Sequence, residues 1–247
     1  KPLIEKNVYD DCIRKVHAYI RQGDIYQANF TFRADGILPE KADPLDFFFS
    51  LFRAHPVPCA AYVNDGDLCH VSLSPELFLE RSGQLIKSSP MKGTASRAGE
   101  FEADRRASDF LPADPKNTAE NLMIVDMVRN DLGRVCRTGS ICVEPMFSVE
   151  TYRSVHQMVS TVHGELNGGC GLADIFYASF PPASITGAPK FRAMEIIREL
   201  EKTPRNIYTG SIGCVAPGGD FLFNVAIRTI SCRGDKFRLG IGGGIVH

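Results

Sequence analysis

The 247-residue sequence has no tryptophan, no Cys-x-x-C pair and no excess of either charge, with 28 Lys plus Arg against 29 Asp plus Glu for a net charge of −1. Each absence excludes something. Without a basic surplus the chain does not read as a nucleic-acid binder, and without strong net charge or a shortage of apolar residues (44% hydrophobic) it does not read as disordered. No apolar run approaches the ~18 residues of a membrane span, and the opening KPLIEKNVYDD has no signal-peptide core. The eight cysteines are scattered, so they are expected to be reduced core residues of a cytoplasmic protein. Metal-site spacing of His and Cys, a serine nucleophile elbow and a phosphate-binding P-loop are also missing.

What is present is a mixed pattern. Tyr9, Ile13, Val16 and Ile20 fall at helical spacing before Gly23. Tyr26, Ala28, Phe30 and Phe32 then alternate with polar residues, which predicts a half-buried strand with Gln27, Asn29 and Thr31 on its polar face. Asp43-Pro44 opens an apolar helix. Residues 59–87 read as one antiparallel meander, and 88–118 as a loop with a short helix near 100–110. A buried helix follows, with Leu122, Val125, Val128 and Leu132 on one stripe. Strand candidates SICVEPMF and SVHQMVSTVHGEL, the short helix GLADIFYASF and the helix FRAMEIIRELEK lead into a second meander, in which FLFNVAIRTISC reads as one strand. Hairpins without βαβ alternation predict an α+β domain built on antiparallel sheets. FRLGIGGGIVH stops inside a strand pattern, so material is expected beyond both ends.

Several residues admit two readings. Gly240 to Gly244 opens no helix and so is no dinucleotide fingerprint; it is either a bulged strand or a place where backbone N–H groups meet a ligand. Ser184 to Lys190 is either plain helix capping or an anion site, with Lys190 adding charge or lying in solvent. Arg228, on one strand face with Asn224 and Ala226, either pairs with an internal carboxylate or clamps a ligand carboxylate. Glu120 opens a helix, where it complements the dipole or holds a hard cation such as Mg²⁺. Lys92 in a loop, Glu76 at a strand start and His156 in an apolar strand would ordinarily be a solvated lysine, a surface acid and a hydrogen-bonded core histidine.

In order along the chain, YQANF, SLSPELF, PMKGT, AENLMIVDMVRNDLGRV, SITGAPKFRAMEII, GSIG, AIRT and GGGIV resemble the motifs of the chorismate-utilising enzymes. That family includes anthranilate synthase component I, aminodeoxychorismate synthase component I, and the isochorismate and salicylate synthases. The resemblance covers nearly the whole chain. It implies a layered sandwich of large antiparallel sheets with helices packed outside, and a chorismate-binding catalytic domain over 1–247. It also implies that an N-terminal part and a C-terminal acidic, metal-ligating segment are missing.

Two positions narrow the resemblance. The water-using synthases carry Lys where this chain has Gln27, and anthranilate synthases usually carry Ala where it has Lys92. Lys92 looks like the aminodeoxychorismate synthase branch, in which the ε-amine attacks C2 of chorismate before ammonia adds at C4. The resemblance further implies Glu76 as general acid and Glu120 as a Mg²⁺ ligand. It places Gly93, Thr94, His156, Ser184, Tyr208, Arg228, Gly242, Gly243 and Gly244 around chorismate. A glutamine amidotransferase partner would supply ammonia, and the product would feed p-aminobenzoate and folate synthesis. No nucleic-acid or membrane partner is expected. The alternatives are anthranilate synthase component I with an atypical lysine, and a fragment of this fold that binds without turnover.

Overall fold

A computed structural model describes residues 1–40 and 42–247. The first half runs α1 (Lys6–Gln22), β1 (Gln27–Ile37), α2 (Pro44–Ala54), β2 (Cys59–Asn64), β3 (Cys69–Ser74), β4 (Leu77–Ser82), β5 (Leu85–Ser89), β6 (Met91–Ser96), α3 (Phe101–Ala113) and α4 (Pro115–Gly133). The second half runs β7 (Cys142–Val143), β8 (Ser148–Thr151), β9 (Val155–Val159), β10 (Val162–Glu165), α5 (Leu172–Ser179), β11 (Gly187–Ala188), α6 (Lys190–Leu200), β12 (Ser211–Val215), β13 (Phe221–Val225), β14 (Thr229–Arg233) and β15 (Lys236–Ile245). The caps follow from local chemistry. Gly23 ends α1 at φ 82°, a left-handed conformation that favours glycine. Asp43 and Asp114 accept from the backbone N–H groups of Leu45 and Asn117, with a proline at the first position of each helix.

The strands form two six-stranded sheets, β11-β1-β15-β14-β3-β2 and β12-β13-β4-β5-β10-β7, and a three-stranded sheet β6-β9-β8. All ladders are antiparallel, as expected for the layered sandwich. α1 and α6 cover the first sheet through Val16, Ala28, Phe30, Ala193 and Ile196. α4 and α5 cover the second through Ile124, Val125, Leu132, Phe78, Val162 and Ile175. Complete burial of a side chain such as Ile124 or Leu132 contributes roughly 1.5–3 kcal/mol.

The meanders are not continuous. β2 and β3 belong to the first sheet and β4 and β5 to the second, so the chain changes sheet at Pro75-Glu76. It changes back between β13 and β14, at Ala226–Arg228. The two crossovers are stitched together: Leu73 N–H donates to Arg228 O at 3.0 Å, and Val225 N–H donates to Glu76 O at 3.0 Å. FLFNVAIRTISC is therefore two strands. A single strand cannot hydrogen-bond into both sheets, and the break leaves Arg228 at φ 49°, off the face of Asn224.

Four further corrections bear on the site. Lys92 lies in strand β6, and 88–118 holds that strand, α3 and the start of α4. Glu120 sits in the second turn of α4, too far in to complement the helix dipole, because the helix already begins at Pro115. Leu122 is exposed, the buried stripe being Asn121, Ile124, Val125, Val128 and Leu132. Gln27, Asn29 and Thr31 are all buried, so the polar face of β1 is turned into the protein and not out to solvent.

Candidate active site

The crossovers, β6 and the glycine-rich end of β15 enclose a cavity of about 620 Å³. Glu76, Lys92, Gly93, Thr94, Ser184, Tyr208, Arg228 and Gly242 to Gly244 line it, joined by Asn29 and Gln157. A larger cavity of about 950 Å³ shares Tyr208 and Gly240 as a wall but contains neither Glu76 nor Lys92. The smaller one holds the groups capable of acid–base and nucleophilic chemistry.

The backbone of β15 explains the glycines. This strand pairs with β1 without interruption from Ala28↔Ile245 to Ile37↔Lys236, so the run is not bulged. A methyl group on Gly242 would lie 2.6 Å from Phe30 O, and one on Gly244 would lie 3.4 Å from Lys92 Nζ and 3.2 Å from Gln27 Nε2. At Gly242 only glycine clears the backbone of β1, whereas at Gly244 the strand passes beside the lysine amine and an added methyl would need the Gln27 amide to give by a few tenths of an ångström. Gly93 takes φ 93°, which turns β6 immediately after Lys92. At Gly240 a methyl group would overlap the Tyr208 ring at 2.0 Å. Gly240→Ala is accordingly expected to displace Tyr208, lower stability by about 1–3 kcal/mol and weaken ligand binding, read by thermal melting and calorimetry.

Burial sets the charges. It pushes Glu76 up to about 7; the Ser184 hydroxyl, the Lys92 charge and the Met91 backbone N–H partly offset it. Ser184 Oγ approaches that carboxyl without closing a hydrogen bond of normal geometry and is otherwise unpartnered. Burial lowers Lys92 from its ordinary value, against the opposing pull of Glu76 and Glu120. Both members of the pair are thus moved toward their neutral forms, as a proton-donating carboxylic acid and a nucleophilic amine require. Burial also raises the Tyr208 hydroxyl to about 12, so it stays protonated as a donor.

Gln27 lies behind this pair. Its amide is fully buried, and neither Nε2 nor Oε1 has a hydrogen-bond partner. Glu120 is half-buried and within electrostatic reach of Lys92. Among the described residues no three His, Cys, Asp or Glu side chains gather into a metal cage. One hard carboxylate oxygen donor suits Mg²⁺, which keeps waters and takes further oxygens from its substrate; it does not suit a soft transition metal.

His156 is not at the cavity. It is buried with Nδ1 against Thr151 Oγ1 at 2.9 Å and Nε2 against Asp104 Oδ1 at 3.0 Å, and Arg97 holds the Asp104 carboxyl far below the usual range. Alternation along β9 turns the next residue, Gln157, to the cavity, where its Nε2 donates to Thr94 Oγ1 at 2.9 Å. Sequence reasoning misses Gln157 and Asn29 as site residues, although the alternating polar face of β1 marks Asn29. Arg228 is exposed at the rim, and the buried Asp131 and Glu201 carboxylates are taken by Lys190 and Arg205. Lys190, bonded to Asp131 at 2.6 Å and to Ser179 O at 2.9 Å, is neither solvated nor aimed at the cavity. Thr186 donates to Pro182 O, leaving Ser184 as the one free hydroxyl of that loop at the site.

Residues 1–247 match the family described as chorismate binding enzyme. The chain belongs to that family. The chain is 40% identical to aminodeoxychorismate synthase component 1 of Bacillus subtilis (strain 168), over 96% of its own length and 50% of the relative's. It is 41% identical to an anthranilate synthase component 1 of Haloarcula marismortui, over 97% of its length and 48% of that protein's. The chain thus spans about half the length of the curated relatives it matches. Its fold superposes on anthranilate synthase component I from Streptococcus pneumoniae TIGR4 with a TM-score of 0.91 at 31% identity, covering 100% of this chain and 54% of that one. A menaquinone-specific isochorismate synthase from Escherichia coli gives a TM-score of 0.90 at 22% identity, covering 100% and 56%, and shares the fold.

Proposed function

We propose that this chorismate-binding enzyme converts chorismate and ammonia to 4-amino-4-deoxychorismate and water, with Lys92 as covalent nucleophile and Glu76 as general acid. One observation carries the reading: a half-buried lysine depressed toward its neutral amine shares a cavity with a fully buried carboxyl raised to about 7. Relatives named aminodeoxychorismate synthase at about 40% identity support the reading, and because an anthranilate synthase is equally similar, Lys92 carries the choice of reaction.

Neutral Lys92 Nζ forms a bond to C2 of chorismate while the C4–O bond breaks, and Glu76 supplies the proton with which the hydroxyl leaves as water. Ammonia then forms the C4–N bond as the Lys92–C2 bond breaks, and the proton shed by ammonia returns to Glu76. Arg228 at the rim, Tyr208, Thr94 and the N–H groups of Gly242 to Gly244 hold the substrate's carboxylates. Glu120 would hold Mg²⁺, which supplies charge neutralisation to a ring carboxylate when bound. A glutamine amidotransferase would provide the ammonia, and the product leads toward p-aminobenzoate and folate.

The test is the product. With chorismate, Mg²⁺ and ammonium, followed by a lyase that removes pyruvate, p-aminobenzoate is expected. Anthranilate as the main product would assign the chain to the chemistry named for its Haloarcula relative, and chorismate bound without product would favour a non-catalytic fragment. The active form pairs a neutral Lys92 with a protonated Glu76, so the rate is expected to follow a bell-shaped pH profile with one limb near pH 7 from Glu76 and the other set by the lowered Lys92.

A further inference from the structure

One buried ion pair outside the reacting groups grips the framework of the cavity. Glu201, at the end of α6, and Arg205, in the loop that carries Tyr208, meet as a fork: Nε to Oε2 at 2.8 Å and Nη2 to Oε1 at 2.7 Å. Their side chains are only 6% and 16% exposed. The pair stands where a strand would otherwise be. β1 pairs with β11 at Gln27 and Ala28 alone, and Asn29 N–H then donates to Thr186 O at 2.8 Å. Past that point Arg205 Nη2 donates to Asn29 O at 2.6 Å, and Glu201 Oε1 accepts from Thr31 N–H at 2.8 Å. Two side chains thereby continue the ladder along the open edge of β1.

The same guanidinium reaches two more walls. Arg205 Nη1 donates to Ile185 O at 2.9 Å and makes a longer contact of 3.4 Å to Thr209 Oγ1. Asn29 and Ile185 line the cavity, Ser184 precedes Ile185, and Thr209 follows Tyr208. We infer that Arg205, held by Glu201, is a positioning residue that sets β1, the Ser184–Ile185 turn and the Tyr208 loop in register with one another around the reacting groups. A planar fork with five donors can serve three separate acceptors at once, whereas a lysine ammonium on a flexible stem cannot hold the same geometry. The choice of chorismate as probe rests on the function proposed above.

The experiment compares Arg205→Lys and Glu201→Gln with wild type. Glu201→Gln keeps an acceptor for Thr31 N–H while weakening the fork, which guards against a variant that fails to fold. Each protein is assayed at the same interval below its own Tm, so simple destabilisation is compensated and faulty positioning is not. The expected result is a KM for chorismate raised about tenfold and a kcat lowered by about tenfold to a hundredfold in Arg205→Lys, with a smaller change in the same direction in Glu201→Gln. Amide exchange supplies a readout independent of chorismate: exchange at Asn29–Thr31 and Ser184–Thr186 is expected to accelerate while that of the α4 core is unchanged. Exchange at those segments indistinguishable from wild type, or kinetic constants within about twofold under matched conditions, would overturn the inference. Wild type that fails to bind chorismate would instead remove the proposed substrate, and exchange alone would then decide the role of Arg205.

Discussion

Lys92→Ala is expected to lower turnover by at least about a thousandfold while the protein remains folded. The substitution removes the one lysine amine that lines the cavity among the described residues, an amine that burial shifts toward its neutral form. It leaves Glu76, Arg228 and the glycine backbone in place, so chorismate binding should survive within about tenfold. Folding should survive as well, because a charge that was costly to bury is lost along with a modest volume. Lys92→Met, which retains most of that volume, separates loss of the amine from loss of packing. Mass spectrometry of the quenched reaction supplies the second measurement: wild type should carry an adduct on Lys92, and neither variant should carry one. Undiminished turnover in Lys92→Met would take the nucleophile's role away from this residue.

For Glu76→Gln the expected loss is about 10²- to 10⁴-fold in kcat, the range for removing a general acid from a step that must expel hydroxide or water. The effect on stability runs the other way. In the unfolded chain this carboxyl ionises near its ordinary 4.5, and in the folded protein near 7. Between those values the unfolded chain has released a proton that the folded one keeps. The associated stability is therefore complete below pH 4.5, falls as pH rises, and is gone beyond about pH 7, a change of about 3 kcal/mol. Glutamine has no proton to release, so the variant should melt higher than wild type above pH 7 and at a similar temperature below pH 4.5. Thermal melts across that range check the sign. An inactive variant whose Tm follows wild type at every pH would mean that Glu76 is not the buried acid described.

The legible parts of the fold were those governed by neighbouring residues. Gly23 after a helical period and Asp43-Pro44 before one act through backbone geometry and orphan N–H groups within a few residues, and both ends stand where the pattern put them. The glycines of β15 were visible as a feature, but the reason for them was not. Gly242 is set by the carbonyl of Phe30 and Gly240 by the ring of Tyr208, each supplied by a distant part of the chain. Strand phase failed at His156 for a related reason. His156, Gln157, Met158 and Val159 are all buried, so polarity carries no information about which side faces the cavity. The histidine, the more reactive side chain, was the natural choice, yet Thr151 and Asp104 occupy both its nitrogens and Gln157 faces the site.

The sequence by itself determined an α+β chain of antiparallel strands and, through its ordered motifs, a resemblance to the chorismate-utilising enzymes that the family match bears out. It also named Lys92 and Glu76 as residues worth following. Only the tertiary structure decided that these two share one cavity. The reason is the pair of sheet changes at Pro75-Glu76 and Ala226–Arg228, which nothing in the alternation of Leu, Phe and Val foretells because an apolar strand reads alike in either sheet. Bringing Glu76 and Arg228 to one seam, beside β6 and the end of β15, places a half-buried Lys92 next to a buried Glu76, and desolvation there shifts both toward their reactive forms.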